Sequence, residues 1–259
     1  MGPIGKVIST HRMNATLSIL VMILGTLFAG VSVLLFVVKG HARPEAQALI
    51  GNITIASAVL GILVIALGVY LRTRAIFVLG ENGVHVRRPG RERDYLYRDI
   101  VETCQMYRHG ISVGIMFHVS DQEKWEGASA QLSGYYKFRD YLYRQFLETR
   151  VPILKEKLKH GQSIDFRKLN ARGKLQSAFV YDVAGLLNAA TDKVTLTKDT
   201  VTFDDLTINI AEIQKIDQSG WTDNITFTMR GGESASLKYT SLFDGELMLL
   251  LINYLRPTQ

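Results

Sequence analysis

Residues 17–38 form a run of 22 positions without a charge, and residues 49–71 a second run of 23. A helix rises about 1.5 Å per residue, so either run covers the roughly 30 Å hydrocarbon core of a bilayer. A soluble core helix of this length would show one polar face, and neither run does. The pattern predicts two transmembrane helices joined by a loop over residues 39–48, which holds Gly40 and Pro44. A cleaved signal peptide fits poorly, because the first run exceeds the roughly 7–15 apolar residues of a signal core. Small residues recur along each helix: Gly25, Ala29 and Ser32 on the first, and Gly51, Thr54, Ala58, Gly61 and Gly68 on the second. Such stripes let two backbones approach in lipid, either within the hairpin or between copies of the chain.

After residue 75 the pattern changes to alternation. Residues 75–79 and 84–88 read as strands about a Gly80-Glu81-Asn82-Gly83 turn, in which Asn-Gly would supply positive φ. Strands follow at 95–102 and 111–119, then an amphipathic helix over 135–159 with Pro152 as a candidate break. The order recurs, with strands at 193–197, 201–203, 206–216, 224–229 and 234–239, and a helix from Asp244 through Leu255. Asp204-Asp205 reads as a turn and not as a catalytic carboxylate pair, and Asp244 reads as a side-chain N-cap. Two copies of strands followed by one amphipathic helix predict two similar small domains.

The repeat resembles the bacterial pleckstrin-homology-like domain. Arg98-Asp99-Ile100-Val101, and Ile210-Ala211-Glu212-Ile213 in the second copy, carry the likeness. Two spans followed by tandem domains are similar to a bacterial family of two-span membrane proteins with such domains. The family often places Trp before the acidic-Ile pair, where this chain has Tyr97-Arg98 and Asn209-Ile210. The resemblance covers residues 72–259. It implies a membrane α-helical hairpin followed by a β-rich α+β region, made of two partly open β-barrels each closed by a C-terminal helix. The domains expected are a cytoplasmic tail (1–16), the hairpin (17–71), a first PH-like domain (72–160) and a second (161–259). The last carries an insertion near 169–192, with a short helix at 183–187.

Charge refines this picture. The formal net charge is +6, but residues 150–174 carry eight Lys/Arg against two acids, while residues 175–259 carry six against eleven. Lys6, Arg12, Arg72, Arg74, Arg87 and Arg88 flank the outer ends of the hairpin, which points both termini to the cytoplasm and the protein to the bacterial inner membrane. Arg87, Arg88, Arg91 and Arg93 crowd one hairpin. Lys155, Lys157, Lys159, His160, Arg167, Lys168, Arg172 and Lys174 form a second cluster. Both are candidate anionic-lipid contacts, against the plainer reading of solvated basic faces. A basic hairpin loop holds a headgroup in eukaryotic pleckstrin-homology domains, and the resemblance implies the same use here.

No motif supports catalysis. The six histidines lack metal-ligand spacing, and there is no nucleophile elbow, phosphate loop or dinucleotide fingerprint. The single cysteine, Cys104, rules out an intramolecular disulfide and reads as a small buried side chain. The expectation is a non-catalytic adaptor in the inner membrane. It needs no cofactor, contacts the lipid bilayer and a protein partner, leaves a homo-oligomer open, and does not bind nucleic acid. The alternatives are an accessory subunit of a larger membrane complex and an unrecognised enzyme.

Overall fold

The computed structural model describes residues 3–73, 75–108, 111–120, 125–170, 190–219 and 223–257. Helix α1 spans Ala15–Lys39 and α2 spans Pro44–Thr73. Asn14 caps α1, its side-chain oxygen accepting the Thr16 N–H at 3.0 Å. Pro44 is the first residue of α2, where its missing N–H is no loss. The connection is therefore four residues, 40–43, and not the ten expected.

Both helices are long and apolar enough to cross a membrane. Only 11% of each apolar window is buried, which separates them from the core helices of a soluble protein. Leu34, Phe36, Ile55 and Ile62 leave 65% to 68% of their surface open. The buried residues are small: Ser18, Gly25 and Ser32 on α1, and Gly61 and Gly68 on α2. A Cβ on Gly61 would sit 2.9 Å from the Ala29 nitrogen and from the Gly25 oxygen. Ser57 donates to the Phe28 carbonyl across the pair at 2.9 Å. The small-residue stripes thus serve contact within the hairpin.

The segment expected as a tail holds strand β1 (Val7–Arg12), which pairs antiparallel with β2 (Ile76–Gly80). The strand has six residues, of which only Val7, Ile8 and Thr10 are β-prone, and its partner lies beyond both helices. The hairpin is therefore an insertion between two paired strands. β3 (Gly83–Arg88) and β4 (Arg91–Leu96) complete a sheet of order β1-β2-β3-β4. The β2–β3 turn uses no positive φ at Asn82 or Gly83. Its Glu81 and Asn82 N–H groups instead donate to the Lys6 and Ile4 carbonyls, so the N-terminal segment satisfies the turn.

β5 (Ile100–Arg108), β6 (Ile111–Val119) and β7 (Glu126–Ser129) form a three-stranded sheet, followed by α3 (Tyr135–Lys159). Pro152 lies inside α3 without ending it. The second repeat has β8 (Ile164–Leu169), β9 (Thr191–Leu196), β10 (Thr200–Phe203) and β11 (Leu206–Asn209) in one sheet. A second sheet holds β12 (Ile213–Ser219), β13 (Asn224–Met229) and β14 (Ser234–Lys238), and α4 (Gly245–Leu255) follows. Among the described residues each repeat carries separate four- and three-stranded sheets, with no closed barrel. A single 3₁₀ turn, Tyr97–Asp99 or Ile210–Glu212, carries the chain from one sheet to the next. The expected insertion and its short helix fall largely on residues 171–189, which lie outside the described residues.

The repeat holds to the level of register. Arg12 faces Ile76 in β1–β2, and Arg167 faces Lys193 in β8–β9. Met13 bridges to Leu132, and Lys168 to Leu242. β5 and β12 shift register at the same place, between Ile100 and Glu102 and between Ile213 and Lys215. The residue before each closing helix, Gly134 or Asp244, is left-handed. β8 is therefore the counterpart of β1.

The chain divides into two compact units, residues 3–94 with 131–134, and residues 95–130 with 135–259. The first holds the helical hairpin and most of the β1–β4 sheet, with Ala75, Phe77, Leu79, Val84, Val86 and Leu132 buried. His11 is buried there, its Nδ1 2.9 Å from the Ser133 carbonyl, to which it donates, and its Nε2 2.8 Å from the Ser9 hydroxyl. In the second unit Phe117, Phe138, Phe146, Phe227 and Phe243 are fully buried.

Candidate anion-binding cavity

Five arginines converge where the helical hairpin joins the first sheet. Arg12 ends β1, two residues before the Asn14 cap, and Arg72 lies in the last turn of α2. Arg87 and Arg88 end β3, and Arg91 opens β4. Gly90, at φ +73°, makes the turn between these strands in a conformation that side chains disfavour. Together with Glu92 these arginines line a cavity of about 890 Å³ within the first unit. Arg87 Nε lies 2.7 Å from Glu92 Oε1, and the Arg88 guanidinium sits 5.9 Å from the centre of the Phe77 ring. His85 Nδ1 lies 2.7 Å from Asp94, and its Nε2 is 4.0 Å from Glu92.

Sequence reasoning named Arg87, Arg88 and Arg91, and the structure brings these together. Arg93, also named, is exposed on β4 and does not line the cavity. Arg12 and Arg72, topology signals in the sequence, stand in the same wall. Their place at the helix roots was the available clue, but it needed β1 in the sheet to become geometry. Guanidinium groups bind phosphate through paired N–H donors, so the cavity suits a phosphate-bearing ligand.

The second basic cluster does not form one surface. Lys168 is 6% exposed and ion-paired to Asp204. Arg167 stacks on Phe243 at 4.6 Å and lies 3.5 Å from Glu102. Lys155 sits 4.0 Å above the Tyr254 ring, and Lys159 pairs with Glu156 at 2.6 Å. Lys157 is exposed. Burial and internal partners thus remove Lys168, and largely Arg167, from a membrane-facing role. Arg172 and Lys174 lie outside the described residues.

A buried polar node lies in the second unit. Asp244 does not cap α4 with its side chain. Its carboxylate accepts instead from the Thr103 N–H at 2.9 Å and from the Thr103 hydroxyl. A left-handed backbone at Asp244 aims the side chain at β5. Burial pushes this carboxyl up to about 8, against the lowering effect of the Thr103 bonds and Arg150, while Glu102 adds to the rise. Arg150 Nε is buried without a hydrogen-bond partner. Glu102 is also raised by burial, with Arg167 and His118 opposing. Cys104 is buried beside Met116, Leu169 and Phe243, and burial raises its thiol. Asp204 and Asp205, both left-handed, form the β10–β11 turn.

No group of three or more His, Cys, Asp or Glu side chains is placed to hold a metal among the described residues. A scan against protein-family models finds no match to the chain, and a comparison with curated proteins finds none either.

Proposed function

We propose that the protein is a non-catalytic adaptor of the bacterial inner membrane, with both termini cytoplasmic. The helical hairpin crosses the bilayer and the tandem PH-like repeats face a protein partner. The first repeat also grips an anionic lipid headgroup in its arginine cavity. The observation that carries this reading is the cavity's position. Its wall includes Arg12 and Arg72, one at the outer end of each apolar helix, so the pocket lies at headgroup depth once the helices are in lipid.

The headgroup claim is tested by hydrogen exchange on the full chain in nanodiscs. Residues 87–92 should exchange more slowly in anionic than in neutral lipid, and equal rates would remove the claim. The adaptor claim is tested by cross-linked pull-down with mass spectrometry. A soluble, substoichiometric partner is expected, whereas a stoichiometric membrane partner would make the chain a subunit of a larger complex.

A further inference from the structure

We infer that Arg150 is a latent ion-pair partner of Asp244: loss of the Asp244 proton closes the pair and clamps helix α3 of the first repeat to the start of α4 in the second.

The two groups are unmatched halves of one contact. Arg150 lies on α3, and its Nε is a buried donor without a hydrogen-bond acceptor. Such donors are rare in folded proteins. Asp244 precedes α4 and is 8% exposed. Both Thr103 donors, the backbone N–H and the hydroxyl, go to one carboxyl oxygen, Oδ1, so neither reaches Oδ2. Helix α3 packs against α4, with the Lys155 ammonium 4.0 Å above the Tyr254 ring. The two charges already act on one another. Arg150 lowers the proton affinity of Asp244, and Asp244 raises that of Arg150.

The other groups around the carboxyl leave this role to Arg150. Strand β5 brings Glu102 and Cys104, and α3 brings Tyr143. Tyr107 and Tyr239 line a small cavity beside Asp244, and Glu246 lies in the first turn of α4. Arg167 on β8 is engaged by Glu102 and by the Phe243 ring, and His118 also acts on Glu102. While protonated, Asp244 needs no counter-charge, and its contact with Thr103 ties the start of α4 to β5. Burial pushes its carboxyl up to about 8. As pH rises through that value the group becomes a buried carboxylate, and closing on Arg150 offsets part of the cost of burying the charge. The first repeat has Gly134 in the corresponding left-handed position, so the clamp belongs to the second closure alone.

Thermal melting of the full chain in detergent at about pH 6.5 and about pH 9.5 tests this. Arg150→Met should lower the melting temperature by about 3 °C more at the higher pH than at the lower. In an Asp244→Asn background it should cost the same at both. Arg150→Lys should recover most of the difference in the parent chain. A cost independent of pH would reduce Arg150 to packing and overturn the pair. A pH-dependent cost that survives Asp244→Asn would assign Arg150 to another carboxyl and overturn it as well. A second measurement needs no Arg150→Met protein. The nitrogen-15 resonance of Arg150 Nε in the parent chain should move as Asp244 titrates near pH 8 and stay still in Asp244→Asn. A resonance indifferent to that titration would overturn the clamp.

Discussion

Arg12 and Arg167 hold the same register position in β1 and β8, yet their surroundings differ. Arg167 lies on Phe243 beside Glu102. Arg12 faces a cavity walled by four further arginines at the root of two apolar helices. One repeat engages these positions with its own aromatic and acidic side chains, and the other sets them in a cavity wall. The two repeats share their strands and the β5/β12 bulge, and they differ at the hairpin tip and in the connection after the first strand.

The comparison breaks most severely at the helices. Gly61→Leu would place side-chain atoms where the Ala29 and Gly25 backbones lie, at 2.9 Å from the Cβ alone. We expect a loss of about 3 kcal/mol or more. Because the hairpin joins β1 to β2, the cavity should lose lipid along with helix packing. Cysteine cross-linking between α1 and α2, read beside lipid retention, checks both.

Next come the left-handed residues ahead of the closing helices. Asp244→Ala removes the acceptor for two Thr103 donors and puts alanine at φ 54°. A loss of about 2–3 kcal/mol is expected. Gly134→Ala at φ 67° has only the backbone cost and a contact with the His11 ring at 3.2 Å, and about 1–2 kcal/mol is expected. Denaturation of the full chain in detergent ranks the two, and a larger effect at Gly134 would refute the ranking.

The same node predicts a pH dependence. Burial raises the folded-state pKa of Asp244 to about 8, above the ordinary value of 3.8. The folded protein therefore holds this proton over a window in which the unfolded chain has lost it. Stability should be highest below about pH 4 on account of this group, and fall as pH rises toward and through 8. Asp244→Asn keeps an acceptor for Thr103 and tolerates the left-handed backbone. It should flatten the melting-temperature profile between pH 5 and 9, and an unchanged slope would show that Asp244 is not the titrating group.

Much of this architecture was legible in the sequence. Uninterrupted apolar runs gave the helices, and alternation gave most strands. The missing pieces depend on long-range pairing. Strand β1 has six residues and its partners lie 64 (Arg12 to Ile76) to 73 (Val7 to Gly80) positions away, so no local period marks it. Asp244 looked like a cap because its local sequence suits one, but a tertiary donor, Thr103, claims its carboxylate. The arginine hairpin was visible as a cluster. Its conversion into a cavity was not, because Arg12 and Arg72 join it only through the fold.

The smallest effect sharpens the comparison most directly. Lys168→Met places in the second repeat the residue that Met13 supplies in the first. The lysine is nearly buried while the side chain of Asp204 is 59% exposed, so water can replace the lost partner on the acidic side. Methionine fills the vacated volume without a charge, and a change below about 1 kcal/mol in either direction is expected. If the pair is a local substitute for an external anion, removing its cation should create no anion site, because the β10–β11 hairpin keeps Asp204-Asp205. Lipid retention by the variant should match the parent chain. A gain in anionic lipid would mean that Lys168 masks a second cavity, and the two repeats would then differ in occupancy and not in kind.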